Sequence, residues 1–292
     1  MPSLDDLRKR IKSVKSTQKI TKAMKMVAAA KLRKAQENAE KGRPYSQKMQ
    51  NIILNLTNSI NDPQNAPKLL IGTGDDKKYL CVVLTADRGL CGGFNSNICK
   101  LAKINFKKIL GEGKTLKIIT VGSKGLDQIK REYGKYIIKK FSFKEKKQIS
   151  FNEAKVVGDK IISLFNQNEF DKCILFYNNF KNVITQIPQA QQIIPAENNS
   201  SDKTDEKTHS YEFEPDEDEI LEDLLPKNIS TQIFKALLEN AASEQGSRMT
   251  AMDNATRNAG DLVDKLTINY NRSRQASITK ELIEIISGAE SL

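Results

Sequence analysis

From Ser3 to Lys41 the chain has neither proline nor glycine, and most residues between are Lys, Arg, Ala, Met, Leu and Gln, all good helix formers. At 1.5 Å per residue this stretch predicts one helix of roughly 60 Å, longer than a helix packed inside a compact domain runs. Ser3 can cap it, and Asp5 and Asp6 fall in the first turn, where the helix dipole favours acids. Leu4, Leu7, Ile11 and Val14 are spaced 3, 4, 3, the spacing of a coiled-coil seam. The next two slots of that register are Gln18 and Thr21, while apolar residues resume at Ile20, Met24 and Val27. The expectation is an apolar face that moves around the helix midway, as it would if the packing partners changed.

The other end mirrors this. After Pro226 there is no further proline, and Gly246, Gly260 and Gly288 are the only glycines. A second helix of about 60 residues, or ~90 Å, is predicted. One seam of 3 and 4 steps runs through Ile233, Leu237, Ala241, Glu244, Arg248, Ala251, Ala255, Ala259, Leu262 and Leu266. Between Leu237 and Leu262 it holds only alanines plus Glu244 and Arg248, which stand four apart and can pair across one turn. Small seam residues let backbones approach, but a buried alanine contributes little beside the ~1.5 to 3 kcal/mol of a buried leucine. Two terminal helices of this kind suit an antiparallel coiled-coil shaft that inserts into, or projects from, a larger assembly. The alternative, an ordinary bundle, normally uses bulky Leu and Ile in every layer.

Between the helices the pattern changes to short, β-branched apolar runs: Tyr79 to Thr85, Leu116 to Val121, Lys172 to Tyr177 and Asn182 to Ile187. They alternate with helical stretches at Asn95 to Leu110, Ser123 to Tyr133 and Asn152 to Asn168. Strand, helix, strand at this spacing predicts an inserted Rossmann-like α/β domain with a largely parallel sheet. The mixed α/β chain then divides into an N-terminal coiled-coil helix (1–62), an α/β domain (63–225) with a flexible acidic segment near 195–219, and a C-terminal coiled-coil helix (226–292). TADRGLCGGFN, residues 85–95, follows the first strand, where a glycine turn can cradle phosphate. Gly89, Gly92 and Gly93 fit neither GxGxxG nor GxxxxGK[ST], so a tight strand-to-helix turn with positive φ is the better reading.

Charge narrows the function. The net charge is +11, but residues 1–50 carry +10, 51–194 carry +11, 195–225 carry −10 and 226–292 carry 0. Different parts therefore meet different partners. A nucleic-acid or anionic-membrane binder would gather its basic residues on one side, whereas Arg8, Lys9, Arg10, Lys12, Lys15, Lys19, Lys22 and Lys25 point around most of the helix. No specific nucleic acid is expected. Cys81, Cys91, Cys99 and Cys173 have no CxxC spacing and no partner His, and the sole His209 sits in a polar stretch. No catalytic, metal or cofactor site is expected. No run is apolar enough to span a bilayer, and no apolar stretch behind Met1 reads as a secretory signal.

Three stretches resemble the gamma subunit of F-type ATP synthases: LRKRIKSVKSTQKITKAMKMVAAAKLR at Leu7 to Arg33, LTADRGLCGGFNSN at Leu84 to Asn97, and LLENAASEQGSRMTAMDNATRNA at Leu237 to Ala259, continuing to NRSRQASITKELIEIISGA at Asn271 to Ala289. They stand in family order, and the resemblance covers essentially the whole chain. It implies a non-catalytic rotor of a bacterial, proton-translocating enzyme. The terminal helices would penetrate the ring of alpha and beta subunits, and the α/β domain would sit at the foot against the epsilon subunit and the membrane c-ring. Torque would pass from the c-ring to the catalytic beta subunits, where ATP forms.

The resemblance also assigns residues. Met24 and Lys25 match the segment facing the beta-subunit lever; Arg274, Gln275 and Thr279 match the segment contacting a beta-subunit loop; Arg248 matches the SRM segment of the shaft. Tyr211, Phe213, Glu214 and Pro215 match the stretch that meets the c-ring, with Phe213 in place of the more usual tyrosine. Residues 190–230 lack cysteine, so the thiol switch of the chloroplast form is not expected. The implied location is the cytoplasmic side of the cell inner membrane, attached peripherally.

Overall fold

The structure, a computed structural model, describes residues 3–59, 67–146, 148–195 and 217–290. It forms two compact units, one of Met1–Ala29 with Arg248–Leu292 and one of Ala30–Ser247. Two helices, α1 (Leu4–Ser59) and α6 (Glu217–Glu290), contribute to both.

In the first unit α1 and α6 pair antiparallel. Lys25 bonds Asp253, Thr256 donates to Thr21 at 2.8 Å, and Arg8 reaches the Tyr270 hydroxyl at 3.5 Å. A Cβ on Gly260 would stand 3.1 Å from the Gln18 side-chain amide, which places Gln18 opposite Gly260 in the pair. The predicted change of face does not occur. The starting register continues through Gln18, Thr21, Lys25 and Ala28, while Ile20 and Val27 are 57% and 56% exposed. Polar seam positions are kept because the partner offers Thr256, Asp253 and bare backbone at Gly260, which match Thr21, Lys25 and Gln18 better than an isoleucine would. The seam of α6 is also displaced by one residue near its middle: Val263 is buried and Leu262 is 45% exposed. Met252, Thr256, Ala259, Val263, Leu266 and Tyr270 carry it, again in steps of 4 and 3.

In the second unit a five-stranded sheet has the order β3-β2-β1-β4-β5. The strands are β1 (Lys78–Leu84), β2 (Thr115–Val121), β3 (Ile137–Phe141), β4 (Lys172–Phe180) and β5 (Gln186–Ile194), all parallel except β5. Helices α3 (Phe94–Gly111) and α4 (Ser123–Tyr133) cover one face around Phe106, which lies edge-on to Tyr133 and Phe176. The other face is covered by α5 (Phe151–Asn166) and by α6 itself, through Ile229, Ile233, Ala236 and Leu237. Gly158 of α5 permits this, since a Cβ there would lie 2.6 Å from the Ser230 hydroxyl of α6.

Helix α1 stays within the expected 1–62, whereas α6 begins ahead of the expected 226. Helix α1 continues past Lys41 through Pro44, which cannot donate to the preceding turn, and α6 starts well before Pro226. Packing of Met49 and Ile53 against Leu221 and Leu225, with Leu70 of the short α2 (Lys68–Ile71), offsets the lost donors. Strand β3 is absent from the sequence reading because IIKKF is an edge with three exposed residues and no apolar alternation. The fifth strand was expected at Asn182 to Ile187. There the Asn182 side chain accepts from the Ile184 and Thr185 N–H groups and closes a turn, so pairing begins at Gln186.

Two outcomes follow from this architecture. Replacing Val263 with Asn should cost about 1–3 kcal/mol of helix pairing, because it buries an unmatched amide. Leu262→Asn should stay within about 0.5 kcal/mol, as exposed substitutions do; equal losses in urea titrations followed by helical circular dichroism would refute the register. At the start of α5, hydrogen bonds from the Ser150 hydroxyl and N–H hold the Glu153 carboxyl at about 2, below its ordinary 4.5. Its contribution is therefore complete above about pH 4.5 and lost as pH falls toward 2. Glu153→Gln should flatten that part of the stability curve relative to the unaltered chain.

Candidate functional site

The glycine turn after β1 is closed by the protein's own groups. Asn95 accepts from the Ala86 N–H at 2.9 Å, and Ser247 of α6 donates to the Cys91 carbonyl at 2.7 Å. Positive φ falls at Leu90 (62°) and Gly92 (55°), as a tight turn requires. The Asp87 carboxylate accepts from the Ser123 N–H and hydroxyl at the start of α4, from the Ser142 hydroxyl and from the Phe143 N–H. Burial alone would raise its pKa, but these bonds outweigh it and hold the group below its ordinary value. That carboxylate caps α4, whereas the glycine turn itself leads into α3 through Gly93.

All six residues matched to beta-subunit contacts lie in the first unit, spread along the helix pair and not gathered at one point. Met24 is half-buried on α1, and the adjacent Lys25 Nζ lies 2.5 Å from Asp253, which also binds Arg257 at 2.6 Å. Those two cations hold the Asp253 carboxyl below its ordinary pKa. Arg248 is half-buried where α6 enters the unit. Since Arg8 pairs with Tyr270 and Gln18 faces Gly260, Leu4 falls level with Arg274. Arg274, Gln275 and Thr279 therefore stand where the two-helix segment ends, and all three are exposed.

From Arg274 to Glu290, about 24 Å at 1.5 Å per residue, α6 has no paired helix among the described residues. Ile278, Leu282, Ile283, Ile285 and Ile286 on it are 46% to 68% exposed. A lone helix with so much apolar surface is marginal in water and suits a nonpolar surround. Tyr211, Phe213, Glu214 and Pro215, with most of the acidic segment, lie outside the described residues. Asp253 was not singled out from sequence. Its place four residues before Arg257 was legible, but its pairing with Lys25 depends on how the two helices meet.

Two long helices paired antiparallel, enclosing in sequence a Rossmann-like domain whose glycine turn is closed by its own side chains, define the class: an inserted α/β domain carried on a two-helix shaft. The family described as ATP synthase matches residues 3–292. An ATP synthase gamma chain of Pelagibacter ubique (strain HTCC1062) is 72% identical over 292 residues, covering 100% of both chains. One from Rhizobium leguminosarum bv. trifolii (strain WSM2304) is 57% identical over 295 residues, again with full coverage. The chain belongs to the ATP synthase gamma-chain family.

Among solved structures, a chain of the central stalk and c-ring of Tetrahymena thermophila mitochondrial ATP synthase is 28% identical, with a TM-score of 0.62 over 81% of this chain and 99% of that one. A chain of the Euglena gracilis mitochondrial enzyme shares the fold at 20% identity, with a TM-score of 0.69 over 99% and 94%. Among the described residues no helix is long and apolar enough to cross a membrane. Titrating ATP or NAD into the chain at micromolar concentration is expected to release no heat of binding; saturable heat would show that the glycine turn opens to a ligand.

Proposed function

We propose that this chain works as the central-stalk rotor subunit of a proton-translocating F-type ATP synthase, transmitting torque between the membrane c-ring and the catalytic beta subunits. It is a non-catalytic part of the enzyme complex. The observation that carries the reading is the paired-helix segment, its apolar seam interrupted by small and polar residues, ending in an exposed apolar helix. Such a segment gains its stability from surrounding protein, and a ring of alpha and beta subunits supplies it.

In this reading the parts 1–62, 63–225 and 226–292 act as shaft helix, foot and shaft helix. Met24, Lys25, Arg248, Arg274, Gln275 and Thr279 meet beta subunits, and Tyr211, Phe213, Glu214 and Pro215 meet the c-ring, with the epsilon subunit beside the foot. Because Lys25 is held by Asp253 and Arg274 is exposed at the end of the pair, Arg274 is the stronger candidate for an ion pair with a beta subunit. The complex would hold the chain peripherally on the cytoplasmic side of the cell inner membrane.

Co-expression with the alpha and beta subunits of the same enzyme should yield a stoichiometric complex with ATPase activity that depends on this chain. Failure to recover that complex would overturn the assignment. Within it, Arg274→Ala with Gln275→Ala is expected to weaken assembly by about 1–3 kcal/mol, the loss typical of interface hydrogen bonds to charged groups. Unchanged subunit dissociation would remove both from the contact set.

A further inference from the structure

Strand β4 outlasts its neighbour. Its pairing with β1 ends at Val83 opposite Phe176, while pairing with β5 on the other edge continues to Phe180 opposite Gln186. Past Phe176, the backbone groups of Asn178 and Phe180 that point toward the β1 side have no strand to meet. Buried peptide groups in that position need partners, and side chains of the two long helices provide them. The Asn178 N–H donates to Asn240 Oδ1 at 3.1 Å, and its carbonyl accepts from the Ser243 hydroxyl at 3.2 Å. Two residues on, the Phe180 N–H donates to Glu239 Oε2 at 3.1 Å, and its carbonyl accepts from Arg43 Nη2 at 3.2 Å.

The last two side chains also bind each other. Arg43 donates to both oxygens of Glu239, from Nε at 2.7 Å and from Nη2 at 3.1 Å. Glu239 has a side chain only 3% exposed, and Arg43 comes from α1, not α6. One residue of the sheet, Phe180, is thus held by both long helices at once. The grip differs in kind from the apolar contact of α6 with the sheet. Apolar packing is non-directional and tolerates a small slide or roll, whereas hydrogen bonds weaken steeply with misalignment. A bidentate guanidinium–carboxylate pair adds a fixed plane to that demand.

We propose that Arg43, Glu239, Asn240 and Ser243 form the torque joint of this subunit, the place where turning force passes between the sheet domain and the two helices. This rests on the rotor reading above and names the residues that position its parts. Rotation of α1 about its own axis misaligns the bond to the Phe180 carbonyl, and rotation of α6 misaligns those to Asn178 and the Phe180 N–H. They are positioning residues, since none touches a reacting atom.

The test uses the whole ATP synthase complex reconstituted in lipid vesicles, with Arg43→Ala, Arg43→Lys and Glu239→Gln in this chain. Hydrogen exchange over residues 176–181 reads the joint directly, and loss of one charge-assisted bond should shift the docked state by roughly tenfold. ATP-driven proton uptake divided by ATP hydrolysed reads coupling. The expected result is faster exchange at Phe180 and a lower proton-to-ATP ratio in Arg43→Ala, with hydrolysis continuing. Arg43→Lys, which keeps the charge without the fork, should restore part of both, and Glu239→Gln, which keeps the size, should fall between. Accelerated exchange at Phe180 with an unchanged ratio in every variant would make the bonds merely structural and overturn the proposal. Failure of the unaltered chain to couple hydrolysis to proton uptake would instead overturn the rotor reading, so the two failures are distinguishable.

Discussion

The C-terminal helix belongs to the sheet domain's own core, and much of the second unit depends on that sharing. Ile229, Ile233, Ala236 and Leu237 lie with α5 over the sheet face that contains Leu80, Val82 and Leu175. A helix merely attached by a loop could be displaced at the cost of a few contacts. Here displacement would expose one face of the sheet and strip partners from the end of β4. The short cluster of Met49, Ile53, Leu70, Leu221 and Leu225 brings α1 into the same body. The helices are thus built into the sheet domain as structural layers.

The paired segment follows a different economy. Its seam mixes apolar residues such as Leu7, Met252 and Val263 with threonine, glutamine, alanine and glycine, while Ile20, Val27, Leu262 and Ile268 face outward. Isolated, such a pair buries little apolar area and holds its register through polar matches such as Thr21 with Thr256. Surrounded by protein, it has both a thin profile and an outward apolar surface to offer. That combination is what a shaft inside a ring of subunits requires.

The sequence was informative wherever a segment's structure depends on its own pattern. Helix α4 was placed at Ser123 to Tyr133, where it is found, and β1, β2 and α3 within a residue of their ends. Segments held by neighbours were less legible. IIKKF becomes β3 because β2 offers it an edge, and Gln186 to Ile194 becomes β5 because β4 does. The contact residues named by family resemblance were legible as motifs. Arg43 and Glu239, 196 residues apart, carried no local sign of their pairing.

What the sequence by itself determined is that two long helices must form at the ends of this chain, since runs without proline and nearly without glycine leave the backbone few competing structures. It also determined that no ordinary Leu-rich seam would join them. The tertiary structure decided where those helices begin and end, which of Leu262 and Val263 turns inward, and which side chains complete the open edge of β4. Helix propensity acts between residues a few positions apart and can be read along the chain, whereas register and polar satisfaction arise between surfaces that meet only after folding.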